Sequence, residues 1–433
     1  MFKVGLYTLG CKVSLYETEA IAEAFADAGF EVGSFFESCD VYVINTCTVT
    51  AESDAKSRKY IRRAHRQNPD AVIIVIGCYS QRSPDEVARI EGVSAVIGTQ
   101  DKLSSVSLAE RLLSEREGQI ISVGALDGAC FEDMTVRSSA RTRGYVKIED
   151  GCECKCSYCA ISAARGPVRS KGREAVISEV EGLYRDGTRE VVLTGIETGS
   201  YGADFDEKYG LADLICELDE RRSCDRIRLG SMAPELLSER FVKRVAGLSI
   251  MVPHFHVSMQ SGSTAVLNAM RRRYTRERAM ENIRLIRSLM PRVMLTADLM
   301  VGFPGESEED FLDTLSFVSE ARLLDAHVFA YSRRAGTPAA DYDGQIPEEI
   351  KKERSARLIA EVSRVRDEVL SEVVARGEML PSILETFKGG VWSGHSDSYI
   401  AVSCVGDKTL DGALVNLKPV SHKDGIVFCE IVK

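Results

Sequence analysis

The sequence has no apolar run long enough to cross a lipid bilayer. Its apolar stretches, such as residues 71–76, are far shorter than the ~20 residues that a transmembrane helix needs. The first residues also lack the basic segment followed by an apolar segment that marks a secretory signal. We therefore expect a protein without a membrane span that works in the cytoplasm.

The sequence also lacks an excess of basic charge, internal repeats and low-complexity segments. A formal net charge of -10 excludes a protein that coats nucleic acid through its overall charge, although a local basic groove is compatible with it. Hydrophobic residues make up 44% of the 433 residues, which is enough for a sizeable core. At ~150 residues per domain, this length predicts about three domains.

The amino-terminal part alternates short apolar runs with amphipathic stretches. This pattern predicts strands at residues 3–9, 41–46 and 71–76 and helices at residues 15–28 and 53–68. Gly29 and Pro69 mark the ends of the two helices. Strands and helices in alternation are typical of an α/β fold with a doubly wound parallel sheet, which we assign to residues 1–127.

A second α/β region follows a polar segment at residues 128–139. Its predicted strands are residues 144–148, 190–193, 226–229, 254–257, 294–300 and 327–329, with helices between most of them. About six such βα units favour a central open partial (β/α)6 barrel, which we place at residues 140–372. Residues 346–376 contain no proline after Pro347 and predict one long helix, or a broken pair of helices, leaving the barrel.

The carboxyl-terminal residues have a different pattern. Short β-branched runs at residues 380–386, 399–402, 413–417 and 426–431 are separated by glycine and Asp-Gly turns. This spacing predicts a small β-barrel over residues 373–433.

The spacing of three cysteines in one loop predicts a metal centre. The chain has thirteen cysteines and no secretion signal, so metal binding or redox chemistry is favoured over disulfides, because cytosolic thiols stay reduced. Cys152, Cys156 and Cys159, here called the loop cysteines, form a Cys-x3-Cys-x2-Cys run after the first predicted barrel strand. Three thiolates suit an iron–sulfur cluster with one open iron, or a structural zinc site. Cys154 could replace Cys156 in principle and is interpreted as a bystander.

Three further cysteines, far apart in sequence, each follow a predicted strand. Cys11, Cys47 and Cys78, here called the strand-end cysteines, lie just beyond the carboxyl ends of the first three strands, where open α/β sheets bind ligands. Gly10 and Gly77 precede two of them and allow close approach of the backbone. The pattern favours a second cluster with a free coordination position, with buried core cysteines as the alternative.

The residues around these cysteines resemble the methylthiotransferases of the radical S-adenosylmethionine (SAM) superfamily, whose cluster loop leaves an open iron that binds SAM. The resemblance covers essentially the whole chain. Segments similar to the branch that modifies threonylcarbamoyladenosine in tRNA are Thr8-Leu9-Gly10-Cys11-Lys12-Val13, Tyr16-Glu17-Thr18-Glu19, Asn45-Thr46-Cys47-Thr48-Val49-Thr50 and Gly77-Cys78-Tyr79. Isopentenyladenosine enzymes usually carry Gly-Cys-Gln-Met-Asn at the first cysteine, and the ribosomal-protein branch carries Gly-Cys-Pro-Lys-Asn.

Other segments resemble the SAM pocket of that family. They are Leu193-Thr194-Gly195, Gly199-Ser200-Tyr201-Gly202, Gln260-Ser261-Gly262-Ser263, Met270-Arg271-Arg272 and Val301-Gly302-Phe303-Pro304-Gly305-Glu306. By resemblance, the residues expected near SAM are Tyr158, Thr194, Gly195, Ser231 and Gln260. Simple turn chemistry explains any one of the glycine-rich segments, but hardly all of them in this order.

Three basic clusters are candidates for binding RNA phosphates, with a solvated charged face as the alternative for each. They are Lys56, Arg58, Lys59, Arg62, Arg63 and Arg66; Arg141, Arg143, Arg165, Arg169, Lys171 and Arg173; and Arg271, Arg272 and Arg273. The last residues, around 392–399, resemble the TRAM domain, a small RNA-binding β-barrel. Within it, Trp392 and Tyr399 either stack on RNA or belong to the core.

The resemblance implies an enzyme that adds a methylthio group to carbon 2 of N6-threonylcarbamoyladenosine next to the tRNA anticodon. It implies SAM and two 4Fe-4S clusters: one at the loop cysteines to cleave SAM, and one at the strand-end cysteines to supply sulfur. The implied partners are a tRNA anticodon loop, a reducing electron donor and a sulfur source, with no membrane. The alternatives are isopentenyladenosine tRNA, a ribosomal protein side chain and, without catalysis, a zinc-dependent RNA-binding protein.

Overall fold

The computed structural model describes residues 1–115, 118–139 and 142–432. The amino-terminal part is a parallel sheet with helices on both faces. Its strands are β1 (Lys3–Thr8), β2 (Glu31–Gly33), β3 (Val41–Thr46), β4 (Val72–Gly77), β5 (Val93–Ile97) and β6 (Ile120–Ser122). Its helices are α1 (Lys12–Asp27), α2 (Ala51–Gln67), α3 (Cys78–Arg82), α4 (Pro84–Ala88) and α5 (Ser105–Glu115).

The strand order of this sheet is β2-β1-β3-β4-β5-β6, and every pairing is parallel. The chain therefore reverses direction across the sheet between β1 and β3, which is the switch point of a doubly wound fold. Every residue of β3 and β4 is buried, because helices cover both faces. The order places the carboxyl ends of β1, β3 and β4 side by side.

The central part contains two further parallel sheets, with strand orders β11-β10-β7 and β12-β13-β14-β15, and a short antiparallel pair β8-β9. The strands are β7 (Arg143–Lys147), β8 (Glu149–Asp150), β9 (Arg169–Ser170), β10 (Glu190–Thr194), β11 (Arg226–Leu229), β12 (Ser231–Met232), β13 (His254–Gln260), β14 (Met294–Val301) and β15 (Asp325–Ala330). The six strands predicted for this region are confirmed. The division into two sheets occurs at Gly230, whose amide N–H donates to the carbonyl of Leu193 at 2.8 Å, before β12 joins the second sheet.

The helices of the central part follow most of these strands. They are α6 (Ile161–Arg165), α7 (Arg173–Arg185), α8 (Leu211–Arg221), α9 (Glu239–Val245), α10 (Thr264–Ala269), α11 (Arg276–Leu289), α12 (Glu308–Glu320) and α13 (Glu348–Arg376). Of the two alternatives for residues 346–376, the single long helix is confirmed. It begins after Pro347 and ends at Gly377, whose left-handed φ of 64° is typical of a helix terminus.

The carboxyl-terminal strands form a closed five-stranded barrel in the order β16-β17-β18-β20-β19. They are β16 (Leu380–Lys388), β17 (Val391–Ser396), β18 (Ala401–Val405), β19 (Leu414–Lys423) and β20 (Ile426–Val432). The sequence did not predict β17. It also placed Tyr399 in a strand, which is wrong: its φ of 68° puts it in a turn before β18.

A single apolar core connects the three parts of the chain. One cluster of buried side chains extends from Val4 and Tyr16 through Leu193 and Leu295 to Trp392. A second cluster covers the opposite face of the amino-terminal sheet. No helix among the described residues is both long and apolar enough to cross a membrane.

Candidate metal centres and the cavity beside them

The structure brings the strand-end cysteines together at one edge of the amino-terminal sheet. Cys11 follows β1 and caps α1, Cys47 follows β3, and Cys78 is the first residue of α3 after β4. Burial is the main cause that raises the pKa of Cys47 and of Cys78, and the charge of Cys11 also raises both, so the thiols are close enough for their charges to interact. Burial raises the pKa of Cys78 to about 11, against the opposing effect of the Arg165 charge. Three potential ligands therefore share one site.

The two glycines at this edge have conformations that few other residues adopt. Gly10 has a φ of 122° and Gly77 a φ of 98°. A methyl group on Gly10 would lie 3.2 Å from Cβ of Cys47, and one on Gly77 would lie 2.5 Å from Oδ1 of Asn45. Glycine therefore allows these turns to pack tightly around the cysteines.

The loop cysteines lie between β8 and α6. The loop closes through a hydrogen bond of 3.0 Å from the Cys152 amide to the carbonyl of Gly166. Cys156 is buried and accepts a hydrogen bond from Nη1 of Arg272 at 3.3 Å. Burial raises the pKa of Cys159. The backbone therefore holds three thiols on one short loop, with a cation against one of them.

Cys154, the interpreted bystander, interacts directly with a loop cysteine. Its side chain forms a hydrogen bond with Cys152, and this contact is the main cause that lowers the pKa of Cys154 to about 6. The Arg272 and Arg273 charges act in the same direction, while burial opposes them. Cys154 is thus adjacent to the candidate ligands.

The two groups of thiols fit a cluster better than a single metal ion. Among the described residues, no three His, Cys, Asp or Glu side chains are arranged to hold a single metal ion. In a cubane, by contrast, each cysteine binds a different iron atom. All-thiolate donor sets with N–H donors directed at sulfur, as found in both groups, fit iron–sulfur clusters.

Arg165 connects the two groups of cysteines. This fully buried residue ends α6, the helix that follows the loop cysteines, and its Nε donates to Sγ of Cys78 at 3.2 Å. Its Nη1 donates to Glu17 at 2.6 Å and to Asp150 at 3.1 Å. Asp150 immediately precedes the cysteine loop, and Glu17 lies on the helix that begins at the first strand-end cysteine. A network of buried charges thus connects the strand-end cysteines with the loop cysteines.

A cavity of about 650 Å³ opens beside the strand-end cysteines. It is bordered by Cys11 and by three of the five residues expected near SAM, namely Thr194, Gly195 and Ser231. Thr194 ends β10, and Ser231 begins β12 across the gap between the two central sheets. The structure therefore brings together residues of the amino-terminal sheet and of both central sheets.

The other two residues expected near SAM do not border this cavity. Tyr158 packs edge-to-face against Phe303, with ring centroids 6.5 Å apart. Gln260 is buried at the end of β13 with a φ of 68°. Tyr158 lies in the cysteine loop two residues after Cys156, so it stays on the side of the loop cysteines.

The cavity also contains polar residues that the sequence analysis missed. Oδ2 of Asp298 lies 3.2 Å from Nε2 of His256, and Oδ1 lies 3.3 Å from Nδ1 of His327. Oγ1 of Thr296 joins His256 to His254, at 2.8 and 3.0 Å. Hydrogen bonding to Asp298 raises the pKa of His327. The alternation His254-Phe255-His256 in a predicted strand was the available signal, since it places both histidines on one face.

Tyr399 of the carboxyl-terminal barrel borders the cavity. Its ring stacks between His254 and His395, at centroid distances of 4.7 and 4.9 Å. The Arg228 guanidinium lies 5.0 Å from the centroid of the same ring. Trp392, in contrast, is 1% exposed and donates its indole N–H to the carbonyl of Asp407, so it belongs to the core.

Three members of the second basic cluster are not available to RNA phosphates, so for these three residues that interpretation is wrong. Arg165, Arg169 and Lys171 are buried, and their charges are matched by carboxylates inside the protein, such as Glu179 at 2.6 Å from Lys171. Arg141 lies outside the described residues. The first cluster does lie on the surface of α2: Lys56, Lys59, Arg62, Arg63 and Arg66 are exposed.

Comparison with known proteins places these observations in a family. Residues 3–98 match the "Uncharacterized protein family UPF0004", and residues 146–318 match the Radical SAM superfamily. The threonylcarbamoyladenosine tRNA methylthiotransferase MtaB of Bacillus subtilis (strain 168) is 40% identical over 96% of this chain and 94% of its own. MtaB of Aquifex aeolicus (strain VF5) is 36% identical over 88% and 93%. A tRNA-2-methylthio-N(6)-dimethylallyladenosine synthase of Alkaliphilus oremlandii (strain OhILAs) is 33% identical over 100% and 93%.

A solved structure supports the fold. The radical SAM methyltransferase TsrM from Kitasatospora setae, with cobalamin and a 4Fe-4S cluster bound, superposes with a TM-score of 0.58 over 90% of this chain and 77% of that one. At 16% identity this likeness concerns the fold alone. The sequence identity to the relatives, which extends over most of both chains, shows the family as well as the fold. This chain belongs to the radical SAM methylthiotransferases, as an enzyme of their MtaB branch.

Proposed function

We propose that this enzyme adds a methylthio group to carbon 2 of N6-threonylcarbamoyladenosine next to the anticodon of tRNA. The relatives named for this activity are 33 to 40% identical over nearly the whole chain. The structural observation that carries the proposal is the shared cavity of Cys11, Thr194, Gly195 and Ser231. A strand-end cysteine and residues expected near SAM face the same space, as joining sulfur to a substrate carbon requires.

The proposed cofactors are SAM and two 4Fe-4S clusters, one held by the loop cysteines and one by the strand-end cysteines. When bound, they supply the reductive cleavage of SAM and the sulfur for transfer. Arg272 and Arg165 each donate an N–H to one thiol, which stabilises the thiolate form that binds iron. Tyr158 and Gln260 remain proposed SAM neighbours on the side of the loop cysteines.

We further propose three domains, bounded as the sequence predicted: residues 1–127 for the strand-end cysteines, 140–372 for a radical SAM partial (β/α)6 barrel, and 373–433 for a TRAM-like RNA-binding barrel. The gap at Gly230, where β11 leaves one sheet and β12 joins the other, is compatible with a single open barrel. The exposed cations of α2 would contact RNA phosphates. A tRNA substrate agrees with a cytoplasmic location, where an electron donor and a sulfur source would act on the enzyme.

The substrate base must leave its stack to reach the cavity. An anticodon-loop nucleotide can do so at modest cost, because it lies outside a duplex. Tyr399, which borders the cavity, offers an aromatic side chain beside the entering group.

The test uses the full-length enzyme, reconstituted without oxygen, and two anticodon stem-loop RNAs that differ only in the modified adenosine. One carries N6-threonylcarbamoyladenosine and the other isopentenyladenosine. Mass spectrometry of the digested RNA is expected to detect the methylthio derivative of the first RNA only, and none with a Cys11→Ala variant. Methylthiolation of the isopentenyl RNA alone would contradict the proposal.

A further inference from the structure

The cavity beside Cys11 has two cationic side chains that are not fully paired. Lys12 borders the cavity and forms no ion pair or hydrogen bond with any residue that the structure describes. Arg228 borders it too and is 2% exposed. Its Nε and Nη2 bind Glu190 and two main-chain carbonyls, but its buried Nη1 has no partner among the described residues. A buried guanidinium N–H without a partner costs free energy unless a ligand accepts from it.

Among the described residues, no carboxylate lies within ion-pair distance of Lys12, and the carboxylate that pairs with Arg228 is shared with other cations. Glu190 is shared by three arginines, since Arg228 and Arg143 lie 2.6 and 3.0 Å from it and Arg226 lies at 4.0 Å. Asp298, which also borders the cavity, contacts its two histidine partners. Lys12 and Arg228 are therefore available to bind an anion in the cavity.

The shape of the site favours a small anionic group over an RNA backbone. It is a cavity of about 650 Å³ that is lined by the buried Arg228 and by Tyr399 of the carboxyl-terminal barrel. A phosphodiester backbone binds along exposed grooves, whereas a side group projecting from a base fits a recess. On the proposed function, the substrate base carries such a group: its threonyl carboxylate, which an isopentenyl group lacks.

We propose that Lys12 and Arg228 form a carboxylate subsite that recognises the threonyl group of the substrate nucleoside. This subsite rests on the proposed function and assigns its substrate specificity to two residues. The guanidinium supplies a fixed donor, and the ammonium, one residue after Cys11, brings the anion close to the strand-end cysteines.

The experiment is a double-mutant cycle that combines the substitution of one side chain with the removal of one charge from the substrate. The binding of two stem-loop RNAs is measured by fluorescence anisotropy: one carries the threonylcarbamoyl group, and the other carries the same group with its carboxylate converted to a neutral methylamide. The proteins are the reconstituted wild type, Lys12→Met and, as a matched control, Lys243→Met on the surface helix α9. Lys243 is exposed, and its ion-pair partner among the described residues is Glu239 in the adjacent turn.

For the wild type, capping the carboxylate is expected to raise the Kd about 10-fold or more, as loss of a charge-assisted hydrogen bond does. Lys12→Met is expected to weaken binding of the carboxylate RNA by a similar factor and to leave the methylamide RNA nearly unchanged. A further variant, Lys12→Arg, is expected to restore most of the discrimination between the two RNAs. Lys243→Met is expected to behave as the wild type. The same ordering is expected in kcat/KM for methylthiolation.

Three results would overturn the subsite. Equal losses on both RNAs would mean that Lys12 contacts a phosphate or acts structurally. A Lys12→Met variant that instead raises the KM for SAM would assign the anion to the SAM carboxylate. Unchanged binding of both RNAs would remove Lys12 from recognition altogether. A wild type that methylthiolates only isopentenyl RNA would instead overturn the proposed function and the subsite with it.

Discussion

Replacement of Glu17 by Gln is expected to destabilise the enzyme strongly, because Glu17 is the central anion of the buried network. Its side chain is fully buried, and its Oε1 lies 2.6 Å from Arg165, 3.0 Å from Lys147 and 3.3 Å from Lys102. Burial alone raises the pKa of a carboxyl, but these three cations outweigh it and hold the pKa of Glu17 well below its usual value. Removing one partner of a buried ion network typically costs ~3–5 kcal/mol, since the remaining charges stay uncompensated.

The assay is differential scanning calorimetry of the wild type, Glu17→Gln and Glu23→Gln. Glu23 is a matched control on the same helix, since it pairs with Arg137, whose side chain is 60% exposed, and such surface pairs are worth about 0–1 kcal/mol. We expect the melting temperature of Glu17→Gln to fall by roughly 3–5 °C and that of Glu23→Gln to change little. Equal shifts for the two variants would refute the reasoning.

The same network predicts a dependence on pH. Because the folded-state pKa of Glu17 is lowered, its stabilisation is present above the ordinary value of 4.5 and is lost as the pH falls through the lower folded value. The difference in stability between the wild type and Glu17→Gln should therefore shrink only in that acidic range. A difference that already vanishes near neutral pH would contradict the account.

Three other substitutions test separate parts of the structure. Gly77→Ala should destabilise the protein by about 2 kcal/mol or more and reduce iron retention, because the added methyl group would lie 2.5 Å from a buried amide oxygen. Gly29→Ala is the control, since Gly29 has a comparable φ of 85° but open space around it. An equally large loss of stability in Gly29→Ala would contradict the steric argument. Arg272→Met removes the N–H donor from a loop thiol and should therefore lower the reduction potential of the cluster at the loop cysteines. The potential is measured by a redox titration followed by electron paramagnetic resonance, and an unchanged value would mean that this hydrogen bond does not tune it. Asp298→Asn should return the raised pKa of His327 toward 6.5 in a nuclear magnetic resonance titration, and a pKa that stays raised would assign the shift to another group.

The positions of the candidate ligands were predictable because they depend on local pattern and strand order. A cysteine directly after a buried apolar run lies at the carboxyl edge of a parallel sheet, so Cys11, Cys47 and Cys78 were expected to meet. The spacing of the loop cysteines is local as well. Both predictions needed only the local spacing of cysteines and the positions of the strand ends, and these strand ends lie within a residue or two of their predicted positions.

The buried network was not predictable, because its partners are distant in sequence. Arg165 and Glu17 are 148 positions apart, and a basic residue near a cluster loop fits a phosphate contact equally well until its burial is known. Tyr399 was placed in a strand because it begins the β-branched run at residues 399–402, but its φ of 68° is incompatible with a strand. The cavity of Lys12, Arg228 and Asp298 depends on three elements packing together, which no local pattern encodes.

The most direct test of the account is the iron and acid-labile sulfide content per chain after anaerobic reconstitution. It is measured for the wild type and for a variant with the strand-end cysteines Cys11, Cys47 and Cys78 all changed to Ala. The account predicts about eight irons falling to about four, since each group of cysteines holds one cubane. About four irons in both proteins, or zinc without sulfide, would contradict it.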